Sequence, residues 1–167
     1  MLRIAGNIVA ASLAIAVIGG SSMAYAAAQP SRSARHGAEK LVLMGTSTKS
    51  ATVSVIATGL INDGGVTRLT SNQSEVRLGS GTFRLSSKTG PAKNRFNAAT
   101  CVTTITGGGT YTLSHGTGKY AHITGSGHFV TSGQSVFPRK AGGACSISHP
   151  LAAQAIITLR GPVTLGS

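Results

Sequence analysis

Carboxylates are nearly missing from this chain, which has 3 Asp plus Glu against 15 Lys plus Arg in 167 residues. That shortage speaks against paired-carboxylate acid–base chemistry and against metal sites built from acidic oxygens. Tryptophan is absent, and the 3 Tyr and 4 Phe are not interleaved with the basic residues. The stacking platform of a single-strand nucleic-acid groove is therefore lacking, and no nucleic-acid partner is expected. Cysteine occurs twice and never as C-x-x-C, which disfavours a redox motif or a zinc knuckle. Helix formers are sparse, and no 3.6-residue apolar period extends beyond the first residues. Helix is disfavoured nearly everywhere. After the opening apolar run, no stretch reaches the length of a membrane-spanning helix.

What is there begins with an export signal. Arg3 precedes the apolar run from Ile8 to Ile18, which is too short to span a bilayer, and Ala24-Tyr25-Ala26 fits a small-x-small cleavage site. Residues 1–26 read as a signal peptide, and the product as secreted and extracellular. Residues 27–40 are polar and basic without periodicity, as in Gln29-Pro30-Ser31-Arg32-Ser33-Ala34-Arg35, and read as a flexible basic arm. Residues 41–167 suffice for one domain with one core.

The domain reads as all-β. Short runs alternate with a period of two, among them Thr52-Val53-Ser54-Val55, Val76-Arg77-Leu78, Phe83-Arg84-Leu85, Tyr111-Thr112-Leu113 and Val163-Thr164-Leu165. Turn signals at Asn62-Asp63-Gly64-Gly65, Lys88-Thr89-Gly90-Pro91, Gly107-Gly108-Gly109 and Gly142-Gly143 leave no room for crossover helices. Seven or eight antiparallel strands follow. Closure into a barrel removes exposed edges, which makes a barrel the first reading and a sandwich the second. Cys101 and Cys145 form an even pair in an exported chain, and a disulfide between them is expected.

The segment Tyr111-Thr112-Leu113-Ser114-His115-Gly116-Thr117-Gly118-Lys119-Tyr120-Ala121 leads into a second run with Gly125 and Gly127. It predicts a strand, a tight Gly-Thr-Gly turn, and a second strand whose glycines permit a bulge or a close backbone approach. In Gly116, Thr117, Gly118, Lys119, Tyr120 and Gly125 the chain resembles the allene oxide cyclase and dirigent barrels, in which a Gly-Thr-Gly-x-Phe/Tyr turn precedes a Gly-containing strand. The resemblance implies an eight-stranded antiparallel barrel with an apolar central cavity and, as in plant members, a homo-oligomer. It also implies a bacterial secreted relative whose activity would be ring closure or steering of radical coupling.

The residues themselves carry no catalytic assignment. Glu39 falls in the expected arm, Asp63 in a turn, and Glu75 in Ser74-Glu75-Val76-Arg77, where a solvated face is the simpler reading. Gly116-Thr117-Gly118-Lys119 lacks both the flanking residues and the following helix of a phosphate loop. With Ile123 and Phe129 inward, His122 and His128 point to solvent, so neither a metal nor a cofactor is expected. Asn72-Gln73-Ser74 is a formal glycosylation sequon.

Charge is the remaining clue. Setting aside Arg3, 14 basic residues face 3 acids, dispersed along the chain without a dense block. The expectation is a non-catalytic secreted barrel that binds a small apolar ligand or an anionic envelope polymer or surface. The alternative is a cofactor-free cyclase or dirigent-type enzyme, with Glu75 or Arg77 at the cavity mouth.

Overall fold

Among the described residues, eight of nine strands close into an antiparallel barrel, and the remaining one, Lys93–Asn97, pairs outside it. The computed structural model describes residues 33–46 and 50–166. The strands are β1 Arg35–Gly45, β2 Thr52–Gly59, β3 Asp63–Arg68, β4 Gln73–Leu78, β5 Gly81–Thr89, β6 Lys93–Asn97, β7 Val102–Ser114, β8 Thr124–Val136 and β9 Ala152–Leu165. The sheet order is β5-β4-β3-β2-β1-β9-β8-β7-β6, and β5 pairs β7 to shut the barrel.

Alternation builds the core as anticipated. Leu41 and Leu43, Val55 and Ala57, Val76 and Leu78, Phe83 and Leu85, Leu113, Leu159 and Val163 all point inward and are buried. Their neighbours along each strand face outward, the period-two pattern of a half-buried sheet.

Strand β7 does two jobs. Its lower half, Gly109 to Ser114, pairs with β5, and its upper half, Val102 to Thr106, pairs with β6. The change of partner falls at Gly107-Gly108-Gly109, the triplet expected to be a turn but found in mid-strand. A Cβ on Gly109 would lie 2.1 Å from the Lys88 carbonyl oxygen and 2.9 Å from the Phe129 ring. These glycines therefore serve close packing at the seam instead of chain reversal.

Two further expectations change. β1 begins at Arg35, so residues 35–40 belong to the barrel and not to an arm. Their inward positions are Gly37 and the buried Glu39, neither of which reads as apolar alternation. The expected signal peptide, residues 1–26, and residues 27–32 lie outside the described residues. In β8, the register runs unbroken through Tyr111↔Gly127 and Leu113↔Gly125, so these glycines introduce no bulge. Of the two roles expected for them, close backbone approach is the one found, since a Cβ on Gly127 would meet the Arg160 carbonyl oxygen at 2.1 Å.

The upper ends of β7, β8 and β9 overhang the barrel with β6 alongside. The expected disulfide is present, with Cα atoms of Cys101 and Cys145 5.5 Å apart, and it ties the β8–β9 connection to the start of β7. Arg139 assists by donating from Nη1 to the Gly143 carbonyl and from Nη2 to that of Ala99. Closing a loop with a sequence separation of 44 is worth roughly 4 kcal/mol in the chain-entropy account. Replacing both cysteines by Ala should therefore lower the free energy of unfolding by about 2–4 kcal/mol in a denaturant titration, with the barrel retained in far-UV circular dichroism.

Candidate functional site

Each carboxylate has a defined place, and none stands free on the surface. Glu39 is buried in β1, where Oε2 accepts from the Ile61 backbone N–H at 2.7 Å and braces the β2–β3 connection. Its strand partners are Gly59 and Gly161, which leave room for the carboxyl. Tyr111 crosses toward the same level, since a Cβ on Gly161 would lie 2.9 Å from the phenol oxygen. Glu39 Oε1 and the Tyr111 hydroxyl have no hydrogen-bond partner among the described residues. Desolvation raises the Glu39 carboxyl above its ordinary range, although backbone N–H donors oppose the shift. Burial, followed by the nearby Glu39 charge, raises the Tyr111 phenol.

Asp63 organises the lower end. Tyr120 donates its hydroxyl to Asp63 Oδ2 at 2.5 Å, the Ser80 N–H donates to the same oxygen at 2.9 Å, and the Gly64 N–H donates to Oδ1 at 2.7 Å. The Tyr120 hydrogen bond, helped by these backbone donors, holds the Asp63 carboxyl well below its usual range. Burial and the bond to Asp63 push the Tyr120 phenol up to about 12. The motif that carries the family resemblance is thus a plug. Gly118–Tyr120 forms a short 3-10 turn, and Tyr120 stacks edge-on against Phe83 with ring centres 5.8 Å apart. Thr117 bonds to Thr82 through both backbone and hydroxyl. Gly116 is forced, because a Cβ there would sit 1.6 Å from the Tyr120 carbonyl oxygen. Lys119 is exposed, and Gly125 lies in β8 against Val163.

Glu75 pairs with Arg77 on the outer wall, Nε to Oε1 at 2.7 Å, and both side chains are well exposed. They face away from the interior. His115, His122 and His128 are exposed and do not converge, and the described residues contain no cluster of metal-ligating side chains. His122 precedes β8 in the left-handed region, so it does not share a strand face with His128.

Inside the barrel, the lower half is filled by side chains and the upper end keeps a hollow of about 170 Å³. Leu43, Leu69, Leu85, Phe129, Ile157 and Leu159 line it, with hydroxyls of Thr70, Ser71, Ser74, Ser87, Thr89 and Thr131 around them. Among the described residues, no charged one lines it. An adjoining hollow of about 270 Å³ shares Leu69 and Thr131 and runs beneath the overhang.

The outer wall holds what linear reading missed. Register places Lys40 opposite Arg160, Arg160 opposite His128, His128 opposite Thr110, and Thr110 opposite Lys88. This row crosses β1, β9, β8, β7 and β5, and all its members point outward. Directly opposed side chains stand about 5 Å apart, so Lys40 and Arg160 repel each other. The described residues show no carboxylate that neutralises them, since the one salt bridge there is Glu75–Arg77. Searches among family models, curated proteins and solved structures found no match.

The two buried or bonded acids give opposite pH slopes. Because the folded-state value of Glu39 lies above its ordinary 4.5, its contribution is fully present below that pH and is lost as pH rises through the raised value. Asp63 is depressed below its ordinary 3.8, so its contribution is present above that pH and is lost on acidification. Melting temperatures measured between about pH 3 and pH 8 should show a shallower decline on the neutral side for Glu39→Gln and a shallower decline on the acid side for Asp63→Asn.

Proposed function

We propose that the protein is a non-catalytic secreted barrel whose outer wall binds an anionic surface of the cell envelope. The observation that carries this reading is the in-register row Lys40, Arg160, His128, Thr110 and Lys88, which gathers dispersed cations into one belt without a carboxylate partner. Opposed like charges cost stability in a sheet, and a polyanion laid across them would reverse that cost. The disulfide suits an oxidising compartment, in keeping with export. The closed eight-stranded barrel and the Gly116–Tyr120 plug accord with a place among the allene oxide cyclase and dirigent-like barrels.

A second reading rests on the upper hollow. Its apolar floor and hydroxyl rim would suit a small neutral ligand, and native mass spectra before and after organic extraction would reveal a retained molecule. The cyclase or dirigent-type alternative has less behind it, because Glu75 and Arg77 lie on the outer wall and the hollow offers hydroxyls alone as polar groups.

The test of the main reading is the salt dependence of binding to soluble polyphosphate. Wild type should bind at low ionic strength, and Lys40→Ala/Arg160→Ala should reduce the log–log salt slope by about one unit per cation removed. Lys93→Ala/Arg95→Ala, on the outlying strand β6, should retain most of the affinity. Equal losses from both pairs would show that net charge, and not the belt, does the binding.

A further inference from the structure

Beside the cationic row, the same wall is apolar. One step up the strands, Ile56 lies opposite Val42, Val42 opposite Thr158, and Thr158 opposite Val130. The next outward row runs Val66, Ser54, Met44, Ile156 across β3, β2, β1 and β9. Ile56, Val66, Met44, Ile156 and Val130 are exposed, Val130 at 62%. Strand register therefore gathers them into one outward patch, bordered below by Lys40 and Arg160, with no acid on these rows. A patch of this kind on the outside of a barrel marks an interaction surface.

Resting on the anionic-surface reading above, we infer that this wall docks on an anionic phospholipid membrane, with the aliphatic patch entering the interfacial region and the Lys40–Arg160 row meeting the headgroup phosphates. Charge decides between a bilayer and a second copy of the chain. The patch is bordered by unneutralised cations, and a second copy would bring a net charge of the same sign, whereas an anionic leaflet complements both parts of the wall. Polyphosphate alone would satisfy the cations and leave the aliphatic rows in water. A lipid surface uses both, and apolar contact and charge add in interfacial binding.

Vesicle co-sedimentation separates these partners, using phosphatidylcholine vesicles with and without phosphatidylglycerol. Wild type should bind the anionic vesicles and not the neutral ones. Ile56→Ser/Val130→Ser, both at exposed outward positions, should bind anionic vesicles about tenfold more weakly yet bind polyphosphate like wild type. Lys40→Ala/Arg160→Ala should weaken both. Vesicle binding unchanged by the serine pair would overturn the lipid proposal while leaving the polyanion reading intact. Sedimentation equilibrium showing a wild-type oligomer that the serine pair dissociates would assign the face to a second copy and also overturn it. Retained far-UV circular dichroism in both variants excludes unfolding as the cause.

Discussion

The pairing of β5 with the lower half of β7 is the constraint on which the remaining architecture depends. Without it the sheet would present two free edges, and the inward row Ala57, Leu41, Leu159 and Phe129 would have no enclosed space to fill. Closure requires backbone to pass close to backbone and to the Phe129 ring at the seam. That is the physical reason for glycine at 108 and 109, where any side chain would meet the Phe129 or Lys88 carbonyl oxygen. Above the seam β7 is released from the barrel and takes β6 as its partner, which creates the overhang that the disulfide then anchors.

Closure also decides what the few acids can do. With 3 carboxylates in the whole sequence, Asp63 binds Tyr120 and the turn at Ser80, Glu39 braces Ile61, and Glu75 pairs Arg77. None faces the cationic row. The barrel geometry then sets Lys40 directly beside Arg160 and brings Lys88 onto the same row of the wall, with His128 and Thr110 between. An unneutralised row arises here by subtraction, since Asp63 and Glu39 are used in holding the fold and Glu75 pairs with Arg77 elsewhere on the wall.

Much of the fold was legible because its signals are local. Alternation in Val53-Ser54-Val55 or Phe83-Arg84-Leu85 fixes which side chains face in, and a chain with two cysteines leaves one intramolecular pairing. The candidate site was far less legible. Lys40 and Arg160 are neighbours solely through register, which depends on how distant strands meet, and spacing in sequence carries no trace of it. Glu39 was misplaced because its strand opens with Arg35-His36-Gly37, a stretch whose inward positions offer no apolar side chain. Gly107-Gly108-Gly109 was misread for a related reason: glycine serves both chain reversal and close strand approach, and tertiary packing decides between them. The Gly116–Tyr120 segment carries a local turn signal, but Asp63, the partner of Tyr120, lies 57 residues away and could not be inferred from it.

The most direct measurement of the central claim is a backbone amide chemical-shift map of the isotope-labelled protein titrated with short-chain polyphosphate. The account predicts that the largest changes fall on Lys40, His128 and Arg160 and their strand neighbours Thr110 and Lys88, with little change at the lower end around Arg35 and Lys119. Changes centred on Arg35 and Lys119, or spread evenly over every exposed cation, would contradict it.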